Sequence, residues 1–279
     1  INMHYGFIKA AAASPSLKVA DCRYNCDSII KTIEKAYKKG VKLLVFPELS
    51  ITGYTCDDLF SQKLLLDQAL IGLMNIVKES KDRELLIVTG LPIETQGYLY
   101  NCAAVVYNGE ILGIVPKTHL PNYNEFYESR RFKSAPKDNF TVDINGKTVP
   151  FGTKLIFQNM QMKGFSLAIE ICEDLFVPIS PGSLHAMNGA AIIANLSASN
   201  EILGKADYRR TLIKAQSGKS ICAYIYSNSS DQESTTDMVF SGHKMIAENG
   251  VILNEASPFT NEYIEADIDL ERLEHDRMN

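Results

Sequence analysis

The chain has 279 residues, of which 46% are hydrophobic and 22% charged, a composition typical of a globular protein with a sizeable core. The net charge of −5 at pH 7 and the scattered basic residues argue against nucleic acid as a partner. No segment approaches the ~18 uninterrupted apolar residues of a membrane span, so no membrane association is expected. Six cysteines are too few for a disulfide scaffold of this length, and the sequence therefore predicts a cytoplasmic protein with reduced thiols.

The first third of the chain predicts alternating strands and helices. Short apolar segments indicate buried strands, and apolar residues at helical spacing indicate helices between them. Strands are expected at 6–14, at the start of 41–50, where the strand continues into a proline-containing loop, and at 84–92; helices are expected at 25–40 and 64–77. Because the strands are apolar on both faces, the sheet is expected to be covered by helices.

The rest of the chain mixes hairpins, buried strands and further helices. Asn108-Gly109 and Asn249-Gly250 are strong hairpin signals, and the polar aromatic segment 120–132 predicts a loop or short helix. Further strands are expected at 154–159, 163–171, 190–199, 220–228 and 261–269, and helices near 183–188, at 205–219 with Asp207 as a possible N-cap, and at 270–279. No linker or repeat divides the chain, so we predict one α/β domain with a mixed sheet or two stacked sheets.

Three polar residues follow predicted strands: Glu48, Lys117 and Cys172. Each residue also has an ordinary alternative role: Glu48 as a solvated loop glutamate, Lys117 as a surface lysine and Cys172 as a buried structural cysteine. Because sites of α/β proteins lie at the carboxyl ends of strands, one sheet edge can gather all three. A carboxylate, an ammonium and a thiol together suit amide hydrolysis through a thioester.

The neighbours of Cys172 argue against a reactive thiolate. Glu170, Glu173 and Asp174 all lie within two residues of it, and nearby negative charge favours the neutral thiol. Strand alternation predicts that Glu170 and Cys172 share one face, while the following turn directs Glu173 elsewhere. Activation of Cys172 is therefore expected to come from distant groups.

Other catalytic motifs do not fit. The segment AQSGKS ends like a phosphate-binding loop, but Ile213 stands where that motif requires its first glycine. No G-x-S-x-G elbow is present. Cys22 and Cys26 have no second Cys/His pair at zinc-ligand spacing, so no metal site is predicted.

Three segments carry a specific resemblance. FPELSITGYTCDDL, PKTHLPNYNEFYESRRF and ICEDLF resemble the Glu, Lys and Cys motifs of the nitrilase, or carbon–nitrogen hydrolase, superfamily. Within it, the chain is most similar to the glutaminase domains of glutamine-dependent NAD synthetases, and the similarity extends from about residue 5 to 270. The resemblance implies an α/β fold, namely the four-layer α-β-β-α sandwich of the nitrilase type.

The resemblance also implies roles for individual residues. Glu48 is expected as general base, Lys117 as the cation that stabilises the oxyanion, and Cys172 as the nucleophile. Glu128 resembles a second glutamate that positions the lysine and the attacking water. The backbone N–H of Glu173 is expected to complete the oxyanion hole.

The glutamine pocket is implied in the same way. Its expected lining residues are Tyr54, Tyr123, Phe126, Glu173 and Ser199. Packing in the core or at an interface is the alternative for the three aromatic residues, and Ser197 is a rival for Ser199. No cofactor is expected in this domain.

The resemblance finally implies a larger context. Residues 1–269 are expected to form the hydrolase domain, and 270–279 to begin a linker to a synthetase domain whose S-G-G-x-D-S loop this sequence does not contain. ATP and magnesium belong to that synthetase domain, which would amidate nicotinic acid adenine dinucleotide. A homo-oligomer is also expected. The alternatives are a stand-alone amidase or carbamoylase of the same superfamily, or a non-catalytic interaction module that has kept the fold.

Overall fold

The protein is described by a computed structural model for residues 6–260 and 263–278. Its first half contains β1 Phe7–Ala12, α1 Cys22–Lys38, β2 Leu43–Val45, α2 Lys63–Glu79, β3 Leu86–Thr95, β4 Tyr98–Tyr107, β5 Glu110–Pro116, β6 Phe140–Ile144 and β7 Lys147–Phe151. Its second half contains β8 Phe157–Gln158, β9 Ser166–Ile171, α3 Pro181–Met187, β10 Ile192–Ser197, α4 Lys205–Ser220, β11 Ala223–Asn228, β12 Lys244–Glu248, β13 Val251–Ala256, β14 Ile264–Asp269 and α5 Leu270–Met278. Short 3₁₀ turns follow β9 and β11.

The strands form two mixed sheets. One has eight strands in the order β14-β1-β2-β3-β4-β5-β7-β6, and the other has six in the order β13-β12-β11-β10-β9-β8. Strands β1, β2 and β3 are parallel in the first sheet, as are β9, β10 and β11 in the second. Parallel neighbouring strands end at the same edge of their sheet. The residues that follow β9 and β10 therefore lie at one edge of the six-stranded sheet, and those that follow β2 lie at an edge of the eight-stranded sheet.

The two sheets pack face to face, with helices outside. Val45 and Val88 of the first sheet share one buried cluster with Ile169 and Ile225 of the second. A second cluster places α1 and α2 against the outer face of the first sheet, and a third places α4 against the second sheet. The predicted four-layer α-β-β-α sandwich is confirmed.

Some local predictions were wrong or incomplete. The hairpin β6–β7 was not predicted, although Asn145 and Gly146 both adopt the positive φ that such a turn needs. The strand expected at 154–159 shrinks to Phe157–Gln158. Helix α4 has Gly204 as its N-cap, at φ +79°, so Asp207 lies inside the first turn, where it pairs with Arg210.

The carboxyl-terminal helix α5 packs against the same domain. Leu270 and Leu273 are buried in the core between the sheets, and Arg277 Nε donates to the Ile221 carbonyl at 2.8 Å. The domain boundary at 269 stays a prediction. Within the described residues, no helix has the length and apolar character needed to cross a membrane.

Candidate active site

The three candidate residues follow strands of both sheets. Glu48 lies beyond β2 and Lys117 directly follows β5, both in the eight-stranded sheet. Cys172 directly follows β9 of the six-stranded sheet and begins a 3₁₀ turn. All three side chains are almost completely buried, at 1%, 0% and 4% exposure respectively. The prediction that one sheet edge gathers all three was therefore wrong, because the segments after β2 and β5 belong to one sheet and Cys172 follows a strand of the other.

A buried lysine joins two carboxylates. Lys117 Nζ donates to Glu48 Oε1 and to Glu128 Oε1, each at 2.6 Å. Asn101 Nδ2 also donates to Glu48 Oε1, at 2.6 Å, and the Ala198 N–H donates to Glu48 Oε2 at 2.8 Å. Among the contacts of the described residues, Lys117 uses two of its three N–H groups, so one remains for a substrate atom.

Charge complementarity stabilises this cluster in spite of its burial. Burial by itself lowers the pKa of Lys117, but the charges of Glu128 and Glu48 outweigh it and raise the pKa well above its usual range. Burial raises the pKa of Glu128 to about 7; Lys117 opposes that rise and Glu48 adds to it. The two carboxylates therefore favour the charged form of Lys117, whereas burial favours the protonated form of Glu128.

The thiol of Cys172 is held neutral. Burial raises its pKa first, Glu48 raises it further, and Lys117 lowers it only partly. The residue adopts φ +45°, in the left-handed region, and its N–H donates to Asn195 Oδ1 at 3.3 Å. Such a backbone is rare outside glycine and is often found at functional sites.

The left-handed turn corrects one prediction about Cys172. Glu170 points to the outer side of β9, where it accepts from the Gly182 N–H at 2.7 Å and from the Tyr224 hydroxyl. Cys172 instead joins Ile169 and Ile171 in the core between the sheets. The two residues do not share a face, because strand alternation stops where the φ of Cys172 becomes positive.

The aromatic pocket residues form one cluster beside the lysine. Phe126 packs edge-to-face against Tyr54 and Tyr123, at centroid distances of 6.5 and 5.9 Å. The Tyr54 hydroxyl donates to Glu128 Oε1 at 2.9 Å, and the Tyr123 hydroxyl donates to Glu173 Oε2 at 2.9 Å. Tyr123 is 49% exposed, so it lies at the outer end of the cluster.

The two candidate serines differ in their contacts. Ser197 Oγ donates to Asn195 Oδ1 at 2.7 Å, next to the Cys172 backbone. Ser199 N–H donates to Asn228 Oδ1 at 2.7 Å, and Ser199 Oγ lies 3.5 Å from the buried guanidinium of Arg209. Both serines are buried, and their roles stay predictions.

Comparison with known proteins decides the family. The carbon-nitrogen hydrolase family model matches residues 9–278. The chain belongs to the carbon–nitrogen hydrolase family. The nitrilase type of fold predicted from the sequence and the predicted amide-hydrolysing character agree with this family, whose members hydrolyse carbon–nitrogen bonds.

Individual relatives refine the comparison. The chain is 38% identical to the glutamine-dependent NAD(+) synthetase of Mycobacterium tuberculosis over 98% of this chain and 41% of that protein. The structure of a glutamine-dependent NAD(+) synthetase from Cytophaga hutchinsonii matches with a TM-score of 0.84 and 30% identity, over 94% of this chain and 43% of that one. An amidase from Nesterenkonia has the same fold, with a TM-score of 0.74 and 20% identity, over 97% of this chain and 95% of that one. The chain therefore spans less than half the length of these synthetases.

Three residues of the site were missed in the sequence analysis. Asn101 contacts Glu48, while two buried carboxylates, Asp174 and Glu233, bind backbone N–H groups of the turns around the site. Asp174 was noted only for its charge next to Cys172. A buried carboxylate has no periodicity or local spacing that marks it, so its partners become visible only in three dimensions.

Metal-ligating side chains do not cluster in the part of the chain that the structure describes. Over residues 6–260 and 263–278, no group of three or more His, Cys, Asp or Glu side chains is arranged to hold a metal ion. Cys22 and Cys26 are buried free thiols on α1, within the core between α1, α2 and the first sheet. Burial raises the pKa of Cys26 to about 12 and that of Cys22 to about 11, which favours the neutral, less nucleophilic thiol at both positions.

Proposed function

We propose that the protein hydrolyses the side-chain amide of L-glutamine to glutamate and ammonia. The observation that carries the proposal is the buried Glu48–Lys117–Glu128 cluster, whose charges act on the thiol of Cys172. The choice of glutamine is supported by the glutamine-dependent NAD(+) synthetases that the chain resembles along nearly its whole length. In such an assembly, the ammonia would serve the amidation of nicotinic acid adenine dinucleotide.

Each residue of the cluster has a proposed step. Glu48 accepts the thiol proton as Cys172 Sγ attacks the amide carbon, so a neutral thiol is the resting state. The remaining N–H of Lys117 and the backbone N–H of Glu173 stabilise the oxyanion. Collapse of the tetrahedral intermediate expels ammonia, which takes the proton from Glu48, and leaves a γ-glutamyl thioester. A water molecule then hydrolyses the thioester, with Glu48 as base and Glu128 as the residue that orients Lys117.

Substrate selection is proposed to depend on the polar ends of glutamine. Glu173 is oriented by Tyr123 and provides a carboxylate for the α-ammonium group. Tyr54 and Phe126 line the aliphatic part of the substrate. Ser199 is the proposed partner at the α-carboxylate end.

The wider context is part of the same proposal. The chemistry requires only the side chains above, so the domain is proposed to work without a metal or organic cofactor. ATP and magnesium would serve the synthetase domain, the proposed partner of this domain. We also propose a cytoplasmic homo-oligomer, and the six free cysteines suit a reducing compartment.

Trapping of the nucleophile tests this function. The protein is incubated with a diazoketone analogue of glutamine and the Cys172 peptide is measured by mass spectrometry. We expect one label at Cys172 that excess glutamine prevents, whereas Cys172→Ala takes no label and loses ammonia release by about 10³-fold or more. The control Cys22→Ala removes a thiol on α1 and should behave like the wild type. Full ammonia release by Cys172→Ala would disprove the mechanism.

The rival function is a stand-alone amidase or carbamoylase, as the Nesterenkonia amidase shares the fold. A panel of glutamine, aliphatic amides, nitriles and N-carbamoyl compounds separates the two. Release of ammonia from an aliphatic amide, a nitrile or an N-carbamoyl compound, with no hydrolysis of glutamine, would favour the rival function. A protein that takes no label at Cys172 and hydrolyses none of these compounds would be the non-catalytic module.

A further inference from the structure

Glu233 is a fully buried carboxylate outside the predicted catalytic set. It ends the 3₁₀ turn Asp231–Glu233, which follows β11, and is 0% exposed. Its Oε1 accepts from the Tyr54 N–H at 2.6 Å, and its Oε2 accepts from the Thr55 hydroxyl at 2.7 Å and from the Thr55 N–H at 3.2 Å. Among the described residues it forms no ion pair. A buried carboxylate is costly unless its hydrogen bonds compensate, and all of these go to one turn.

The turn at Gly53 is shaped to receive this carboxylate. Gly53 has φ +92°, and a Cβ atom there would lie 3.2 Å from Glu233 Oε1. Glycine therefore permits both the backbone conformation and the close approach. The Tyr54 ring that follows packs edge-to-face against Phe126 and Phe240. Glu233 thus binds the backbone segment from which the Tyr54 side chain extends.

Tyr54 in turn is one of the two side chains that bind the Glu128 carboxylate within residues 6–260 and 263–278. Its hydroxyl and Lys117 Nζ both bind Glu128 Oε1, at 2.9 and 2.6 Å. Glu128 Oε2 is buried and has no hydrogen-bond partner among the described residues. The Tyr54 hydroxyl therefore contributes to the orientation of the Glu128 carboxylate and, through it, of the Lys117 ammonium, which Glu48 also binds.

From these contacts we infer that Glu233 is a positioning residue for the catalytic cluster. It fixes the turn that carries Tyr54, and Tyr54 orients Glu128 against Lys117. The effect extends over residues far apart in the chain, from the loop after β11 to the residue that follows β5. The inference depends on the proposed function in one respect: it takes Lys117 to be a catalytic residue.

The charges around Glu128 make the pH dependence of activity a test of the inference, because a residue that only stabilised the fold would not change it. Burial raises the pKa of Glu128 to about 7, Lys117 and the Tyr54 hydroxyl oppose the rise, and Glu48 adds to it. The charge of Glu128 in turn raises the pKa of the Cys172 thiol. Burial also raises the pKa of Glu233, and the charge of Glu48 adds to that rise. The hydrogen bonds from the Thr55 hydroxyl and from the Tyr54 and Thr55 N–H groups oppose it. Loss of the Tyr54 bond raises the pKa of Glu128. Because the ionised carboxylate is the form that holds the Lys117 ammonium, the acid limb of activity moves to higher pH.

The test compares Glu233→Gln, Tyr54→Phe and the double variant with Asp231→Asn, an exposed acid in the same 3₁₀ turn. Two substrates are used across the pH range: L-glutamine, and p-nitrophenyl acetate, which acylates a cysteine without needing a glutamine pocket. We expect both single variants to lose about fivefold in rate on the acid side of pH 7, the factor of one ordinary hydrogen bond. The loss should disappear well above pH 7, and the double variant should lose no more than either single one.

Several outcomes overturn the inference. It fails if Glu233→Gln matches Asp231→Asn at every pH, if its loss is the same at all pH values, or if the two changes are additive in the double variant. If the wild type acylates with the ester but leaves glutamine intact, the glutaminase proposal fails while the ester profile still decides the role of Glu233. Should Glu233→Gln not fold, as judged by circular dichroism, Thr55→Val carries the test, since it removes the 2.7 Å hydrogen bond to Glu233.

Discussion

Cys172 is a nucleophile candidate whose surroundings favour the neutral form. Burial is the largest cause of its raised pKa, and the charge of Glu48 is the next. The same carboxylate is the proposed acceptor of the thiol proton. In the proposed mechanism Glu48 therefore has two opposite effects: its charge disfavours a resting thiolate, and its carboxylate accepts the proton during the attack.

Glu48→Gln separates these two effects. The substitution removes the negative charge, so the pKa of Cys172 should fall, but it also removes the base, so glutamine hydrolysis should decrease by about 10²-fold or more. Thiolate absorbance titrated against Cys172→Ser measures the pKa, and ammonia release measures turnover. A wild-type thiol with a pKa far below neutral would contradict the mechanism, as would a fully active Glu48→Gln.

At the level of secondary structure, Asp174 connects the ends of β5 and β9. Its carboxylate accepts from the Ile171 N–H at 3.0 Å, from the His119 N–H at 2.9 Å and from the Thr118 N–H at 3.4 Å, and it contacts His119 Nδ1 at 2.8 Å. His119 and Thr118 follow Lys117, while Ile171 precedes Cys172. One buried carboxylate thus holds the lysine and cysteine segments side by side.

Asp174→Asn should loosen both segments together. The amide keeps one acceptor oxygen, so backbone N–H groups near Lys117 and Cys172 lose partners, at a cost of about 1–3 kcal/mol in the free energy of unfolding. Turnover should fall as well, because the nucleophile and the cation no longer keep their separation. Urea denaturation and ammonia release provide the measurements. The exposed Asp138→Asn is the control, expected within about 0.5 kcal/mol of the wild type, and equal stability of the two variants would contradict this role.

Across the whole molecule, several buried carboxyl groups have raised pKa values. Burial raises the pKa of Glu170 to about 7, opposed by the Tyr224 hydroxyl. Glu128 reaches about 7 as well, and burial also raises the pKa of Glu233 and Glu248. Between the ordinary glutamate pKa of 4.5 and about 7, the folded state binds more protons at Glu170 than the unfolded state does. The contribution of Glu170 to stability is therefore complete at acid pH and is lost as the pH rises through 7.

Glu170→Gln isolates this contribution because it removes the titration. The free energy of unfolding of the wild type relative to the variant should decrease by about 3 kcal/mol at most as the pH rises from 4.5 to 7. Urea denaturation across that range measures the difference. Asp138→Asn, at an exposed site, should show no such relative slope. A constant difference between wild type and Glu170→Gln would show that the carboxyl group is not perturbed.

The linear order of the chain was sufficient for most of the elements and for the family. Helices α1, α2 and α4, the hairpins at Asn108-Gly109 and Asn249-Gly250 and most buried strands follow from apolar periodicity and turn residues, which act within a few neighbours. The same local logic placed Glu48, Lys117 and Cys172 at strand ends. The hairpin β6–β7 was missed although Asn145-Gly146 carries the same turn signal as the other two hairpins; its two strands have only five residues each.

Contacts between distant residues were decided only by the tertiary structure. The sheet order, the separation of Glu170 from Cys172 and the hydrogen bonds of Asp174 and Glu233 join segments that no local pattern connects. The physical reason is range: backbone preferences and amphipathicity act over a few residues, whereas burial of a charge depends on every segment that surrounds it. The candidate nucleophile was therefore evident from the sequence, and the buried groups that hold its partners were not.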